Sequence, residues 1–337
     1  MKNSENFLEI QKALFEEVQK KLPKHHSLVE SVSEVLHIGA DSAYRRIRCD
    51  KLLNISEIYA LCAHFNLSFD ILTGATNKYR FNCMYRPVNS SVPGEYQNYI
   101  LSLSQNFERL RAAEGSRILL SAMDIPLFHL LTHKELRFFK LFTYADSVYK
   151  YAGSWDDFVK EMETLQIIEC HQKISRDYEL IPSFEIWTNG TIDPTLKLIS
   201  YYVDMSLFPD QKLPLLLCNQ VLSLLNKLHQ WVQNGYKDQC ATPFQLFLSE
   251  MDLENTYILM KQAQTSNCVV KLFTINHLNI FDEAFCRETE DWLIKLSYRS
   301  VPLSGSSEKE RVKFFNAQRH KVRLLMRKIK THFEANS

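Results

Sequence analysis

Residues 28–74 read LVESVSEVLHIGADSAYRRIRCDKLLNISEIYALCAHFNLSFDILTG, and the punctuation of this stretch decides how the N-terminal part folds. Ser27 precedes a helix-periodic run to Leu36 and is followed three residues on by Glu30, the spacing of a capping box. His37-Ile38-Gly39-Ala40 is a turn carrying a glycine, after which Asp41 or Ser42 caps a third helix running to about Arg48. Ser56 caps a fourth from Glu57 to Phe65, and Ser68 to Leu72 makes a short fifth closed by Gly74. Upstream, Leu8, Leu14, Phe15, Val18 and Leu22 recur at helical spacing from Phe7 until Pro23 stops the run. The spacings predict five short helices in one module.

A helix, a glycine turn and a second helix with a polar first turn and a basic body is the layout of a helix-turn-helix. At about 100° per residue, Ala43, Tyr44 and Ile47 point to one side and dock, while Asp41, Ser42, Arg45 and Arg46 face outward. Placed in a major groove, that turn offers Arg forks for guanine edges or phosphate and short polar groups for other bases. The ordered set of elements resembles the phage-repressor and Cro-like (XRE-type) DNA-binding domain. The resemblance implies that Asp41, Ser42 and Arg46 face bases, that Arg45 and Lys51 lie nearer the backbone, and that Ala43, Tyr44 and Ile47 occupy packing positions. It makes the DNA-binding set Asp41, Ser42, Tyr44, Arg45, Arg46, Arg48 and Lys51, with the Tyr44 hydroxyl emerging toward phosphate. The family often has Glu then Gly after its recognition helix; this chain has Arg48-Cys49-Asp50, so the turn must close without glycine there.

The whole chain has 337 residues, about two domains at roughly 100–200 residues each. Its 45% hydrophobic and 23% charged content is that of a globular protein, and its 8 glycines, about 2.4% against an average of roughly 7%, favour helix over glycine-rich phosphate loops. Neither G-x-x-x-x-G-K-[ST] nor G-x-G-x-x-G occurs, which lowers the case for a nucleotide enzyme. The 8 cysteines include no C-x-x-C pair, and Met1 to Ile10 is polar, so they read as reduced thiols of a cytoplasmic protein. The longest apolar run, Leu213 to Cys218, is far short of the roughly 20 residues of a membrane span.

Turn formers mark residues 75–95 as a linker between a helix-turn-helix domain (1–74) and a C-terminal dimerisation or effector domain (96–337). Tyr96, Ile100, Leu103, Phe107 and Leu110 form either a short dimer seam or a core-facing stripe. Helical patterns cover about 126–152, 154–175, 193–206, 211–235, 282–297 and 306–332, and short β-rich runs lie between Pro243 and Asn276, with Ile118 to Leu120 a further candidate. The expected fold is mainly α: a five-helix phage-repressor-like DNA-binding domain followed by a mostly helical C-terminal domain with a small antiparallel sheet. The runs DIPLFHLLTHKELRFFKLF, IPSFEIWT, FDEAFCRETEDWLIKLS and SEKERVKFFN resemble uncharacterised bacterial regulators, frequent in Bacteroidetes, that join such a DNA-binding domain to a long C-terminal domain.

Other constellations are thinner. His129 and His133 have the i,i+4 spacing of two metal ligands, with Asp124 and Glu135 near in sequence, but surface histidines are the plainer reading. Cys62 and His64 diverge on a helix, so Cys62 reads as core. Asp282 and Glu283 near His277 form the best catalytic cluster, and Phe184, Trp187, Tyr201, Tyr202, Trp231 and Phe247 could line an effector pocket or simply fill the core. In the last helix Lys309, Lys313, Asn316, His320, Arg323, Arg327 and Lys330 make a basic stripe, with Phe315, Val322 and Ile329 on another face. The overall +1 is a cancellation between +1 over residues 1–80, −6 over 81–307 and +6 over 308–337. These readings point to a cytoplasmic transcriptional regulator that binds double-stranded DNA as a homodimer, with no enzymatic activity, cofactor or metal expected and an unidentified ligand or protein partner at the C-terminal domain. The alternative is a helical interaction or peptide-sensing regulator whose helix-turn-helix is not its main binding surface.

Overall fold

The computed structural model describes residues 2–22, 26–65, 67–69, 81, 83–237, 241–263 and 265–335. The chain divides into two units, 1–82 and 83–337. No described helix is long and apolar enough to cross a membrane.

Four helices are described in the first unit: α1 (Lys2–Lys21), α2 (Leu28–Leu36), α3 (Ala40–Ile47) and α4 (Ile55–Phe65). The helical stripe of α1 sets Leu14, Phe15 and Val18 against Val32 of α2, Ala43 of α3 and Leu61 of α4 as the buried core. The Ser27 hydroxyl caps α2 by accepting the Glu30 N–H. The helix then closes at His37 rather than at the turn glycine. His37 takes a left-handed φ of 53°, its N–H bonds the Glu34 carbonyl and the Ile38 N–H bonds that of Ser33, a Schellman closure. Gly39, extended at φ −66° and ψ 155°, is the N-cap of α3, so neither Asp41 nor Ser42 caps it. Asn54, not Ser56, begins α4: its Oδ1 accepts the Glu57 N–H at 2.9 Å while Glu57 Oε2 accepts the Asn54 N–H at 3.1 Å. The expected fifth helix, 68–72, lies largely outside the described residues.

The second unit departs from the expected fold class. In place of a mostly helical domain with a small antiparallel sheet it has a nine-stranded mixed sheet among the described residues. Its strands are β1 (Cys83–Tyr85), β2 (Arg117–Ala122), β3 (Ser183–Thr188), β4 (Tyr236–Lys237), β5 (Thr242–Ser249), β6 (Tyr257–Lys261), β7 (Ser266–Phe273), β8 (Asn276–Ile280) and β9 (Val301–Pro302). They run in the order β1-β8-β7-β6-β2-β3-β5-β4, with β9 also on β5. The pairs β2–β3 and β3–β5 are parallel and all others antiparallel. Parallel strands need long crossovers. Here α6 (Leu127–Leu130), α7 (Lys134–Tyr149), α8 (Trp155–Thr164) and α9 (Ile168–Glu179) lie between β2 and β3, and α10 (Asp193–Asp204) and α11 (Lys212–Asn234) between β3 and β5. Those helices, with α5 (Pro93–Ala112) and α13 (Glu308–Ala335), cover one face of the sheet in a single large core. On the other face Leu119, Ile186, Leu259 and Cys268 pack against Cys286, Leu293 and Leu296 of α12 (Glu283–Tyr298).

Because β2 and β3 are covered on both faces, RILLSA reads as a short apolar run without alternation, and the polar Ser183 and Glu185 of SFEIWT are buried rather than marking a solvent face. Within the expected linker, residues 83–85 are β1, paired to β8, and α5 starts at Pro93. The stripe of Tyr96, Ile100, Phe107 and Leu110 is buried in this unit's own core, which excludes it as a dimer seam.

Candidate functional site

The outer face of α3 presents short polar and basic groups on a backbone that its neighbours hold still. Gln11 of α1, 5% exposed, does much of the holding. Its Nε2 donates to the carbonyls of Arg46 (2.7 Å) and Lys51 (2.9 Å), and its Oε1 accepts the Leu53 N–H at 2.8 Å, tying the end of α3 and the loop beyond it to α1. The loop closes α3 with a second Schellman pair, Cys49 N–H to the Arg46 carbonyl and Asp50 N–H to that of Arg45. Cys49 supplies the left-handed residue, φ 64°, that a glycine would ordinarily occupy.

Arg46 corrects the sequence reading. It is buried, not base-facing: Nη2 and Nε fork onto Glu57 of α4 at 2.6 and 3.1 Å, and Nη1 donates to the Ser42 carbonyl at 3.0 Å. The Arg46 fork, outweighing the cost of burial, holds the Glu57 carboxyl below its ordinary pKa. The inward face of α3 is therefore Ala43, Arg46 and Ile47. Tyr44, placed among the packing residues, is 51% exposed instead. Asp41, Ser42, Arg45, Arg48 and Lys51 are all exposed. Arg48 is partly engaged, 5.6 Å from the Tyr44 ring centroid and 3.8 Å from Asp50. Gly39 leaves the first-turn N–H groups of α3 without a side-chain acceptor. The structure thus brings Asp41, Ser42, Tyr44, Arg45, Arg48 and Lys51 to the surface and withdraws Arg46 to brace it. Gln11 was not singled out in the sequence. A buried glutamine between two helices has no sequence signature beyond a polar residue on an apolar stripe.

In the second unit a cavity of about 280 Å³ opens where the parallel strands meet the antiparallel ones. It lies just past the carboxyl end of β2, the place where open α/β sheets bind ligands. Asp124, two residues beyond β2, accepts from Thr195 Oγ1 (2.9 Å) and Lys140 Nζ (2.5 Å), with Lys271 Nζ at 3.6 Å. Burial works to raise its pKa, but the two lysines outweigh it and hold it low.

The other constellations come apart. His129 does not face His133 as a ligand. Its Nε2 pairs at 2.8 Å with Glu185 of β3, a fully buried carboxylate that also accepts from Tyr178 and, at 2.6 Å, from Trp187 Nε1. Lys237 lies close by, donating to the Tyr178 and Ile181 carbonyls at 2.7 and 2.8 Å, and burial pushes its pKa down to about 7. Asp282 is the N-cap of α12, its Oδ1 accepting the Phe285 N–H at 2.8 Å. Of the aromatic set, Trp187, Tyr202 and Trp231 belong to one core, Phe184 and Phe247 to the other, and Tyr201 is exposed. Cys62 is half-buried. The stripe on α13 is exposed at all seven positions, while Phe315, Val322 and Ile329 are buried. Set against protein-family models, curated proteins and solved structures, the chain matches none of them.

Proposed function

We propose that the protein is a sequence-specific DNA-binding transcriptional regulator of the cytoplasm, reading the major groove with α3 and acting as a homodimer. The observation that carries this reading is the braced outer face of α3. Asp41, Ser42 and Arg45 project from a helix whose far side is clamped by Gln11 and by the Arg46–Glu57 fork. Its recognition chemistry is ordinary. Arg45 suits guanine O6/N7 or phosphate, Ser42 adapts to either base edge, and Asp41 accepts from cytosine N4. Lys51, Arg48 and the Tyr44 hydroxyl, exposed on the same helix and the loop after it, suit backbone phosphates. An eight-residue helix offers few base contacts, and two copies on half-sites about 34 Å apart multiply them.

Titration of mixed-sequence duplexes at increasing salt tests the electrostatic part. With about five phosphates neutralised per subunit, log K should fall against log salt with a slope of about −4.5 per subunit. A flat salt response, or no binding at low salt, refutes the reading and favours a helix-turn-helix that contacts protein.

A further inference from the structure

The cavity of the second unit contains a charge that the protein does not answer. Arg137 of α7 stands on its wall, 5% exposed. Among the described residues its guanidinium makes one hydrogen bond, from Nη1 to the Leu131 carbonyl, and rests 4.7 Å from the Phe138 ring centroid. Its Nε–H is buried with no acceptor. Glu135 acts on it only from a distance and already accepts from Gln220. The polar neighbours carry no counter-charge. Tyr96 shares a 3.0 Å hydrogen bond with His171, whose remaining Nδ1 is buried without a partner, and burial holds His171 neutral, its pKa down to about 3. Lys140 and Lys271, on the same cavity, share the one carboxylate of Asp124.

A buried unpaired cation is strongly unfavourable, and a guanidinium cannot escape by losing its proton. It keeps free N–H edges in the fork geometry that fits a carboxylate. Around it the wall is hydrocarbon and aromatic, with Leu103, Phe107, Phe128, Ile258 and Met260. We infer that this cavity binds a small organic monocarboxylate, its carboxylate on Arg137 and its apolar body against Phe107, Phe128, Ile258 and Met260. Lys140 and Lys271 both contact Asp124, so the cation left wholly without a charged partner is Arg137, and a carboxylate matches the fork it keeps free. At about 280 Å³ the cavity lies near the lower end of small-molecule sites, roughly 300–1,000 Å³, which suits a small ligand. The inference names a ligand class for the second unit, and its test uses no DNA, so its failure is separate from a failure of the DNA reading.

The full-length protein is titrated calorimetrically with octanoate and phenylacetate, and with octanol and phenylacetamide as uncharged counterparts, and its thermal midpoint is followed alongside. The carboxylates should bind and raise the midpoint while the uncharged partners do so at least roughly tenfold more weakly, the scale of a charge-assisted hydrogen bond. Arg137→Met should abolish that preference. Because it removes an unanswered buried charge and keeps the volume, the ligand-free variant should melt no lower than the native protein. Met260→Trp, which fills the cavity, should weaken both carboxylates. Equal binding of octanoate and octanol, no binding of either carboxylate below about 1 mM, or a lowered midpoint in Arg137→Met with unchanged carboxylate binding would each overturn the inference.

Discussion

Replacing Arg46 by methionine should unfold the surface that Arg45 serves, although the two residues are adjacent in the same basic run. The Arg46 side chain is 7% and that of Glu57 15% exposed, and the pair is joined by two charge-assisted hydrogen bonds of 2.6 and 3.1 Å, with a third from Arg46 to the Ser42 carbonyl. Removing one partner of a buried pair costs about 3–5 kcal/mol because the other charge is stranded. Glu57 retains its bond from the Asn54 N–H and some contact with water, which places the loss near 3 kcal/mol. At about 1.4 kcal/mol per tenfold, that is roughly 150-fold faster hydrogen exchange for the most protected amides of α1–α4. Exchange read by peptide mass spectrometry follows this unit separately from residues 83–337. Arg45→Ala, on the exposed face, should stay within about 0.5 kcal/mol of native. Arg46→Met/Glu57→Gln should recover part of the loss, since no charge is left stranded while a glutamine oxygen can still cap α4. If Arg46→Met exchanges like the native protein and Arg45→Ala does not, the assignment of inner and outer faces on α3 is wrong.

Three further outcomes follow from the same structure. The lowered pKa of Glu57 means that its contribution is complete above the ordinary carboxylate pKa near 4.5 and is lost as pH falls through the folded value; protection of α1–α4 should drop with acid, and more gently in Glu57→Gln. For Lys237 the sign is the same, although burial rather than an ion pair is the cause and the window is alkaline: its folded pKa of about 7 lies below the unfolded 10.5, so the unfolded chain binds the extra proton between them. Denaturant midpoints of the second unit should therefore rise from about pH 7 toward pH 10 and rise less in Lys237→Met. Cys49→Gly should stabilise the first unit by about 0.5–1 kcal/mol by relieving a left-handed non-glycine residue, and a lower denaturant midpoint would count against the Schellman closure assigned to Cys49.

Most helices of this chain are legible in its apolar spacing, and the exposed stripe of α13 is readable residue by residue. What escapes is phase and partnership. Tyr44 looks like the better core residue by hydrophobicity, and only the position of Glu57 on a neighbouring helix lets the charged Arg46 take the inward place. Two glycine-like conformations fall on His37 and Cys49, because local hydrogen-bond closure outweighs the steric preference that sequence reading relies on. The parallel strands are hidden for another reason. Glu185, in the middle of SFEIWT, argues against a buried strand until His129, Tyr178 and Trp187, brought in from the crossover helix region and the strand itself, satisfy its carboxylate. The cavity is assembled from α5, α7 and strands far apart in sequence, so no local pattern announces it.

The central claim, recognition of DNA by the outer face of α3, is tested most directly by selection from a random duplex pool with the native protein and with Ser42→Ala/Arg45→Ala, with hydrogen exchange of both as the control for equal folding. The account predicts one palindromic motif enriched by the native protein and lost in the variant. Enrichment of the same motif by both, or of none by either, contradicts it.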